Sequence, residues 1–305
     1  MSSFSIALLN WYSQHKRALP WRTTTNPYSI VISEFMLQQT QVSRVSEKYL
    51  PFLQRFPTLQ SLAQASSADV IRAWSGLGYN RRALLLHRFA QKVWSDYAGE
   101  IPRSVKELST LPGIGSYMKG AIASFAFNLP EPAIDVNVRR IFWRYFRGKD
   151  QGKPLPRKAE EELFLLVQGQ IPSGKSNEFH NALMDFGSAV CTRNAPSCAS
   201  CPLHLSCAFA PLYFQQEEKV LCVRERKPEK GVYELGKCVP NRIFRGRIVE
   251  FARNNQGDFL LDELGVSIKK DYSSSDELWL RELCLKLIAE RLLEAVMRKK
   301  LISLS

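Results

Sequence analysis

Four cysteines crowd one short stretch of the chain: Cys191, Cys198, Cys201 and Cys207, with six, two and five residues between them. Four thiolates this close can wrap one cubic iron–sulfur cluster, each sulfur taking one iron. The spacing is unlike the usual zinc pattern, in which two CxxC pairs stand about 12 to 20 residues apart. A zinc site or a scatter of core cysteines are the competing readings.

The length of 305 residues allows two or three compact units and a sizeable core. No apolar stretch approaches the length needed to span a bilayer. Met1 to Trp11 lacks the basic start and cleavage site of a secretory signal. Seven cysteines is an odd number, and Cys222, Cys238 and Cys284 are dispersed. A reducing, intracellular setting is expected: the cytoplasm of a prokaryote or, in a eukaryote, the nucleus. The net charge of +13 attracts polyanions and makes nucleic acid the first candidate partner.

Most of the first 212 residues read as helix. Apolar residues recur at helical spacing, as in Phe52, Leu53, Phe56, Val70, Ile71 and Trp74. Pro and Gly punctuate them at Pro51, Pro57, Gly76, Gly78, Gly99, Pro102, Pro112 and Gly113. The clearest helices are Ser33 to Tyr49, His87 to Tyr97, Lys119 to Phe127, Val136 to Phe146 and Ala159 to Gln168. The charged residues of 213–236 read as a linker. Beyond it, Ile243 to Ala252 and Leu278 to Val296 read as helices, the second announced by a Ser274–Glu277 capping box. Lys300 to Ser305 reads as a terminal strand. Residues 237–305 thus form a small, mainly helical C-terminal domain, of winged-helix type as one option.

Three local patterns carry chemistry. Leu111-Pro112-Gly113-Ile114-Gly115 sits between helices, where two glycines permit a tight turn that aims backbone N–H groups outward. With the start of the next helix they form an anion site suited to a phosphodiester. Asp135 comes 20 residues after Gly115, ahead of a helix. Glu34 lies in Val31-Ile32-Ser33-Glu34-Phe35-Met36-Leu37-Gln38-Gln39-Thr40-Gln41. Taken singly, the turn is structural as often as functional, Asp135 is an N-cap and Glu34 a partner of the helix dipole.

In combination and in this order, the hairpin, Asp135 and the four cysteines resemble the helix–hairpin–helix DNA glycosylases that carry an iron–sulfur cluster. The resemblance spans roughly residues 5 to 212. Within that superfamily the chain looks most like the MutY-type adenine DNA glycosylases. The matching stretches are Leu19-Pro20-Trp21-Arg22, Ser33 to Val42, Gly76-Leu77-Gly78-Tyr79 and Gly120-Ala121-Ile122.

The resemblance implies an all-α, two-lobed fold. A six-helix lobe would cover about 24–132, and a cluster lobe would join the N-terminal helix to about 133–212. It implies one 4Fe-4S cluster on Cys191, Cys198, Cys201 and Cys207. It also implies base flipping, because a base inside a duplex is unreachable. Leu111, Gly113, Ile114 and Gly115 would hold the DNA backbone, and Arg193 would meet a phosphate. Leu37 and Gln38 would fill the stack from one side and Tyr79 from the other, with Gln39 also in contact with the DNA. Trp21, Arg22 and Asn181 would line the base pocket. Glu34 would be the acid that protonates the purine, its pKa raised by burial, and Asp135 would stay ionised beside the sugar. Asn137 would orient the groups around them. The lyase-type relatives have lysine where this chain has Tyr117, so a monofunctional glycosylase is expected. Lys119 lies about 200° further round a helix.

Three departures stand out. The family's second tyrosine after Gly-Leu-Gly-Tyr is Asn80, as in endonuclease III and the mismatch thymine enzymes. The Gly that usually follows the catalytic Asp is Val136. The Phe-Asn-(Gln/Glu)-Ala stretch appears as Phe179-His180-Asn181-Ala182, one methylene shorter at the purine contact. Residues 220–305 also lack the strand alternation of the family's domain that reads 8-oxoguanine.

The expectation is therefore a monomeric enzyme acting on mismatched or damaged duplex DNA. Its target is adenine opposite 8-oxoguanine or guanine. The alternatives are a thymine or uracil mismatch glycosylase and a non-catalytic reader of DNA structure. Binding alone would not need Glu34, Asp135, Asn137 and Tyr117 together.

Overall fold

The computed structural model describes residues 1–150, 156–214, 229–255 and 259–293. The helices of the first half are α1 (Ser3–His15), α2 (Pro27–Leu37), α3 (Val42–Arg55), α4 (Leu59–Ala63), α5 (Ser67–Ala73) and α6 (Arg81–Asp96). Next come α7 (Val105–Leu108), α8 (Ser116–Phe127), α9 (Val136–Arg147), α10 (Arg157–Gln168), α11 (Ser176–Ala189) and α12 (Ala210–Phe214). The C-terminal part has strands β1 (Gly231–Glu234) and β2 (Lys237–Pro240), then α13 (Asn241–Asn254), α14 (Leu261–Ile268) and α15 (Glu277–Ala289). The fold is mostly helical, as expected. No helix among the described residues is long and apolar enough to cross a membrane.

Two compact units divide the chain: Met1–Glu34 with Ile101–Val223, and Phe35–Glu100 with Arg224–Ser305. This division differs from lobes cut near 24 and 132. Residues 101–132 go with the cysteine-bearing part, and the C-terminal domain goes with 35–100.

The core of the first unit follows from helix amphipathicity. Helix α1 buries Phe4, Leu8, Leu9 and Tyr12; α9 buries Val138, Ile141, Phe142 and Tyr145; α11 buries Phe179, Ala182, Leu183 and Phe186. Phe4 is the hub, 4.7 Å from the Tyr145 ring and 5.3 Å from that of Phe142. Helix α9 starts on Asp135, whose side chain caps it, and stops at Gly148, which takes the left-handed conformation (φ 61°). A smaller cluster of Ile30, Ala121, Phe125 and Ala133 joins α2 to α8 and to the segment before Asp135.

In the second unit, Phe52 meets Trp74 edge-on at 5.8 Å, and Phe35 lies 6.0 Å from Phe89. The single helix expected over Ser33 to Tyr49 is two helices. The chain breaks at Gln38–Gln41, where Gln39 is left-handed (φ 56°).

Strand β1 falls within the segment 213–236 that reads as a linker. A hairpin pairs Gly231 with Pro240 and Glu234 with Lys237. Its two-residue turn, Leu235-Gly236, has positive φ at both positions, which suits the twist of the strands. The Glu234 carboxylate accepts from both terminal nitrogens of Arg247 at 2.7 and 3.0 Å and so docks the hairpin on α13. The capping box ahead of α15 is one residue earlier than expected, at Ser273 and Asp276, and opens a short 3-10 turn. The hairpin precedes the helices here, whereas the expected strand Lys300 to Ser305 and Cys222 lie outside the described residues.

Candidate active site

Glu34 sits on α2, a helix so apolar that Ile30, Val31, Ile32 and Ser33 are all buried with it. Its own exposure is 4 %. Burial raises its pKa to about 7; the Tyr117 hydroxyl, which donates to it, pulls the other way, and the Asp135 charge adds to the rise. One carboxyl oxygen, Oε2, has no hydrogen-bond partner. A carboxyl protonated near neutrality, with one oxygen unclaimed, can donate a proton to a guest.

Asp135 is fixed by its own helix. Oδ1 accepts from the Asn137 and Val138 N–H groups at 2.8 Å each, and Oδ2 accepts from Asn137 Nδ2 at 2.8 Å. Burial raises its pKa, and these N–H donors oppose the rise. Asn137 is held in turn by Arg140, whose Nη2 donates to Asn137 Oδ1 and to the Gly187 carbonyl, while Nε donates to the Cys191 carbonyl. Val136 follows Asp135 with its side chain 72 % exposed, in the first turn of α9. A helical position pointing outward needs no glycine, so this departure leaves the backbone unaffected.

Two contacts fix the segment that delivers Asp135. A Cβ on Gly120 would come within 2.1 Å of the Pro132 carbonyl oxygen, so only glycine lets α8 approach so closely. The buried His180 accepts the Ala133 N–H on Nε2 at 3.0 Å and reaches the Ser176 carbonyl through Nδ1 at 2.9 Å. Those partners require a neutral ring with its proton on Nδ1. Burial lowers the His180 pKa to about 4 in agreement.

The hairpin turn runs as expected from Leu111 to Gly115. Leu111 and Ile114 are buried, Gly113 is left-handed (φ 79°), and Gly115 caps α8 with no side-chain bond to its first N–H groups. Tyr117, on the first turn of α8, reaches Glu34; burial and the two carboxylates raise its pKa well above the ordinary phenol value. Lys119 points elsewhere, 3.8 Å from Glu131.

The expected pocket residues are differently occupied. Trp21 is buried at 8 % exposure. Arg22 is committed to Asp185 in a two-pronged pair of 2.7 and 2.8 Å. Arg17 adds its backbone N–H and Nε to the same carboxylate. Asn181 Nδ2 donates one turn back to Asn177 Oδ1 at 2.9 Å. Asp185, His180, Gly187 and Arg140 escaped the sequence reading; the one signal was an acid inside the apolar run Leu183 to Phe186.

Cys191, Cys198, Cys201 and Cys207 all border one cavity, together with Arg144 and Tyr145. Among the described residues, no three His, Cys, Asp or Glu side chains converge closely enough for a single metal ion. Four thiols around one space are a donor set that fits an iron–sulfur cluster. Arg144 donates to the Thr192 and Arg193 carbonyls and lies 3.6 Å from Cys191 Sγ. The Arg193 side chain is exposed. In the second unit, Leu37 ends α2, Gln38 and Gln39 form the break after it, and Tyr79 is 54 % exposed.

Residues 32–168 match the model of the HhH-GPD superfamily base excision DNA repair protein. An adenine DNA glycosylase of Mycobacterium tuberculosis is 37% identical over 272 residues, covering 88% of this chain and 84% of the relative. The chain belongs to the adenine DNA glycosylase family. A human adenine DNA glycosylase is 38% identical over 251 residues, which cover 79% of this chain and 44% of the longer human protein. The fold of this family member is also that of a thermostable thymine-DNA glycosylase, with TM-score 0.64, 28% identity and coverage of 68% of this chain and 95% of that one. A non-covalent endonuclease III–DNA complex shares the fold at TM-score 0.59 and 21% identity, over 70% and 96% of the two chains.

Proposed function

We propose that this adenine glycosylase family member removes adenine from mispairs with 8-oxoguanine or guanine, by hydrolysis without strand cleavage. The observation that carries the reading is the pairing of Glu34 with Asp135 around Tyr117. Burial raises both carboxyls, but only Asp135 is met by N–H donors that oppose the rise, so the two are set apart in how readily each holds a proton. Below about pH 7 Glu34 holds its proton, and its partnerless Oε2 is the atom free to meet a ring nitrogen of the base. Protonation lets the adenine leave as a neutral molecule. Asp135, held by three N–H donors that all favour the charged form, faces the sugar and stabilises the cation that develops there.

Tyr117 orients Glu34 and has no amine with which to form a Schiff base, while Lys119 is turned to Glu131. The hairpin N–H groups from Gly113 to the start of α8 bind the phosphodiester. Leu37, Gln38 and Tyr79 enter the stack, Gln39 contacts the DNA, and Arg193 binds a neighbouring phosphate. Trp21 and Asn181 line the pocket, with Arg22 acting through Asp185 rather than by touching the base. The partner is duplex DNA bound by a monomer. The four cysteines would hold one 4Fe-4S cluster, a structural cross-link that supplies neither proton nor electron to the hydrolysis.

The test is a panel of labelled duplexes, each with one mispair, incubated with enzyme and then with alkali. Breaks at adenine opposite 8-oxoguanine or guanine, appearing only after alkali, are expected. Breaks confined to thymine or uracil would replace the adenine reading with a mismatch thymine enzyme. Asp135→Asn should abolish release and spare duplex affinity.

A further inference from the structure

Gly76 to Tyr79, the turn expected to press on the duplex, contains one unfavourable backbone position, at Tyr79. Gly76, Gly78 and Tyr79 all take positive φ, the last at 46° with a full side chain. Tyr79 is also exposed, and its ring lies against the Arg82 guanidinium, 5.6 Å from centroid to carbon. Two arginines hold the turn.

The first is Arg82, a buried guanidinium. Nη1 donates to the carbonyls of Phe35, Met36 and Gln38; Nη2 donates to the carbonyls of Leu77 and Gly78 and to the Thr40 hydroxyl. One cation thereby ties the turn to the break after α2, where Gln39 is also left-handed.

The second comes from the C-terminal domain. Arg253 on α13 has a side chain only 6 % exposed. Its Nη2 donates to Asn80 Oδ1 at 2.8 Å, and its Nη1 donates to Glu250 Oε2 at 2.6 Å. The Glu250 carboxylate in turn accepts from Ser75 Oγ at 3.2 Å. Ser75 and Asn80 are the residues immediately before and after the turn. The Arg253–Glu250 pair therefore grips both of its ends. It does so through the side chain of Asn80. A short amide presents its oxygen to the guanidinium there.

We propose that Arg253 is a positioning residue for the stack-entering turn, and that the C-terminal domain acts through it as a brace for Tyr79. The inference rests on the reading above that Tyr79 enters the DNA stack. It gives residues 231–293 a role in opening the duplex, distinct from reading a base.

The test uses the full chain and a duplex carrying 2-aminopurine opposite guanine, whose fluorescence rises when the base leaves the stack. Arg253→Gln and Asn80→Ala should each slow that rise about tenfold, and the double variant should be no slower than either single one. Asn80→Asp keeps an acceptor for Arg253 and should retain the wild-type rate. Binding to the duplex, measured by anisotropy, should change little. Wild-type rates in Asn80→Ala, multiplicative losses in the double variant, or an Asn80→Asp rate as slow as that of Asn80→Ala would overturn the proposal. A wild-type enzyme that raises the fluorescence yet releases no adenine from the mispair panel would overturn the functional reading and leave the brace standing.

Discussion

Asn137 occupies the space that a side chain on Gly187 would need: a Cβ there would lie 2.6 Å from the Asn137 Cβ and 3.0 Å from its Cγ. The glycine on α11 thus sets where Asn137 stands, and Asn137 donates to Asp135. Gly187→Ala should displace Asn137, tilt the Asp135 carboxylate and lower single-turnover release by about tenfold or more, since small misplacements at a reacting centre carry large rate penalties. Duplex affinity should be nearly unchanged. Single-turnover kinetics beside a binding isotherm checks both statements.

His180 should make the fold acid-sensitive. Its folded pKa of about 4 lies below the ordinary 6.5, so between those values the unfolded chain binds a proton that the folded chain refuses. The stability that His180 confers is present above pH 6.5 and drains away as pH falls towards 4. His180→Leu should cost roughly 1–3 kcal/mol at pH 8, where the Ala133 N–H loses its acceptor. It should also flatten the acid side of the stability curve. Denaturant melts at pH 8, 6 and 5 measure both effects.

Glu34 works in the opposite direction. Its folded pKa is raised from 4.5 to about 7, so the folded chain holds a proton that the unfolded chain gives up, and stability falls as pH rises through this interval. Keeping a carboxylate in this site above pH 7 costs roughly 3 kcal/mol. Glu34→Gln should therefore melt higher than wild type at pH 8 and close to it at pH 4, while losing activity. Paired thermal melts at the two pH values test the statement.

The parts of the site legible in the sequence are those whose partners are close in the chain. Four cysteines spaced by a few residues, a glycine hairpin before a helix and an acid that caps its own helix all leave local traces. Asp185 leaves only an acid inside an apolar run, and His180 and Gly187 leave nothing, because the partners Arg22, Ala133 and Asn137 stand 47 to 163 residues away. The break at Gln39 was hidden for a different reason. Apolar residues keep helical spacing through Ser33 to Tyr49, and the carbonyls freed by the break are taken by Arg82, 44 to 47 positions later. The hairpin at Gly231 was masked by the charged run before it, although Leu235-Gly236 offered a turn. Asn80 reads as a likeness to other glycosylases, whereas the structure places its amide oxygen on Arg253, a partner 173 residues away that the sequence does not reveal.

The central claim is that Glu34 delivers a proton to the leaving base while Asp135 remains charged. The pH dependence of single-turnover adenine release from an adenine–guanine mispair tests it most directly. The rate should fall tenfold per pH unit on the alkaline side of a break near 7, and the residual rate of Glu34→Gln should lack that break. A wild-type rate that stays level from pH 6 to pH 9, or the same alkaline break in Glu34→Gln, would contradict it.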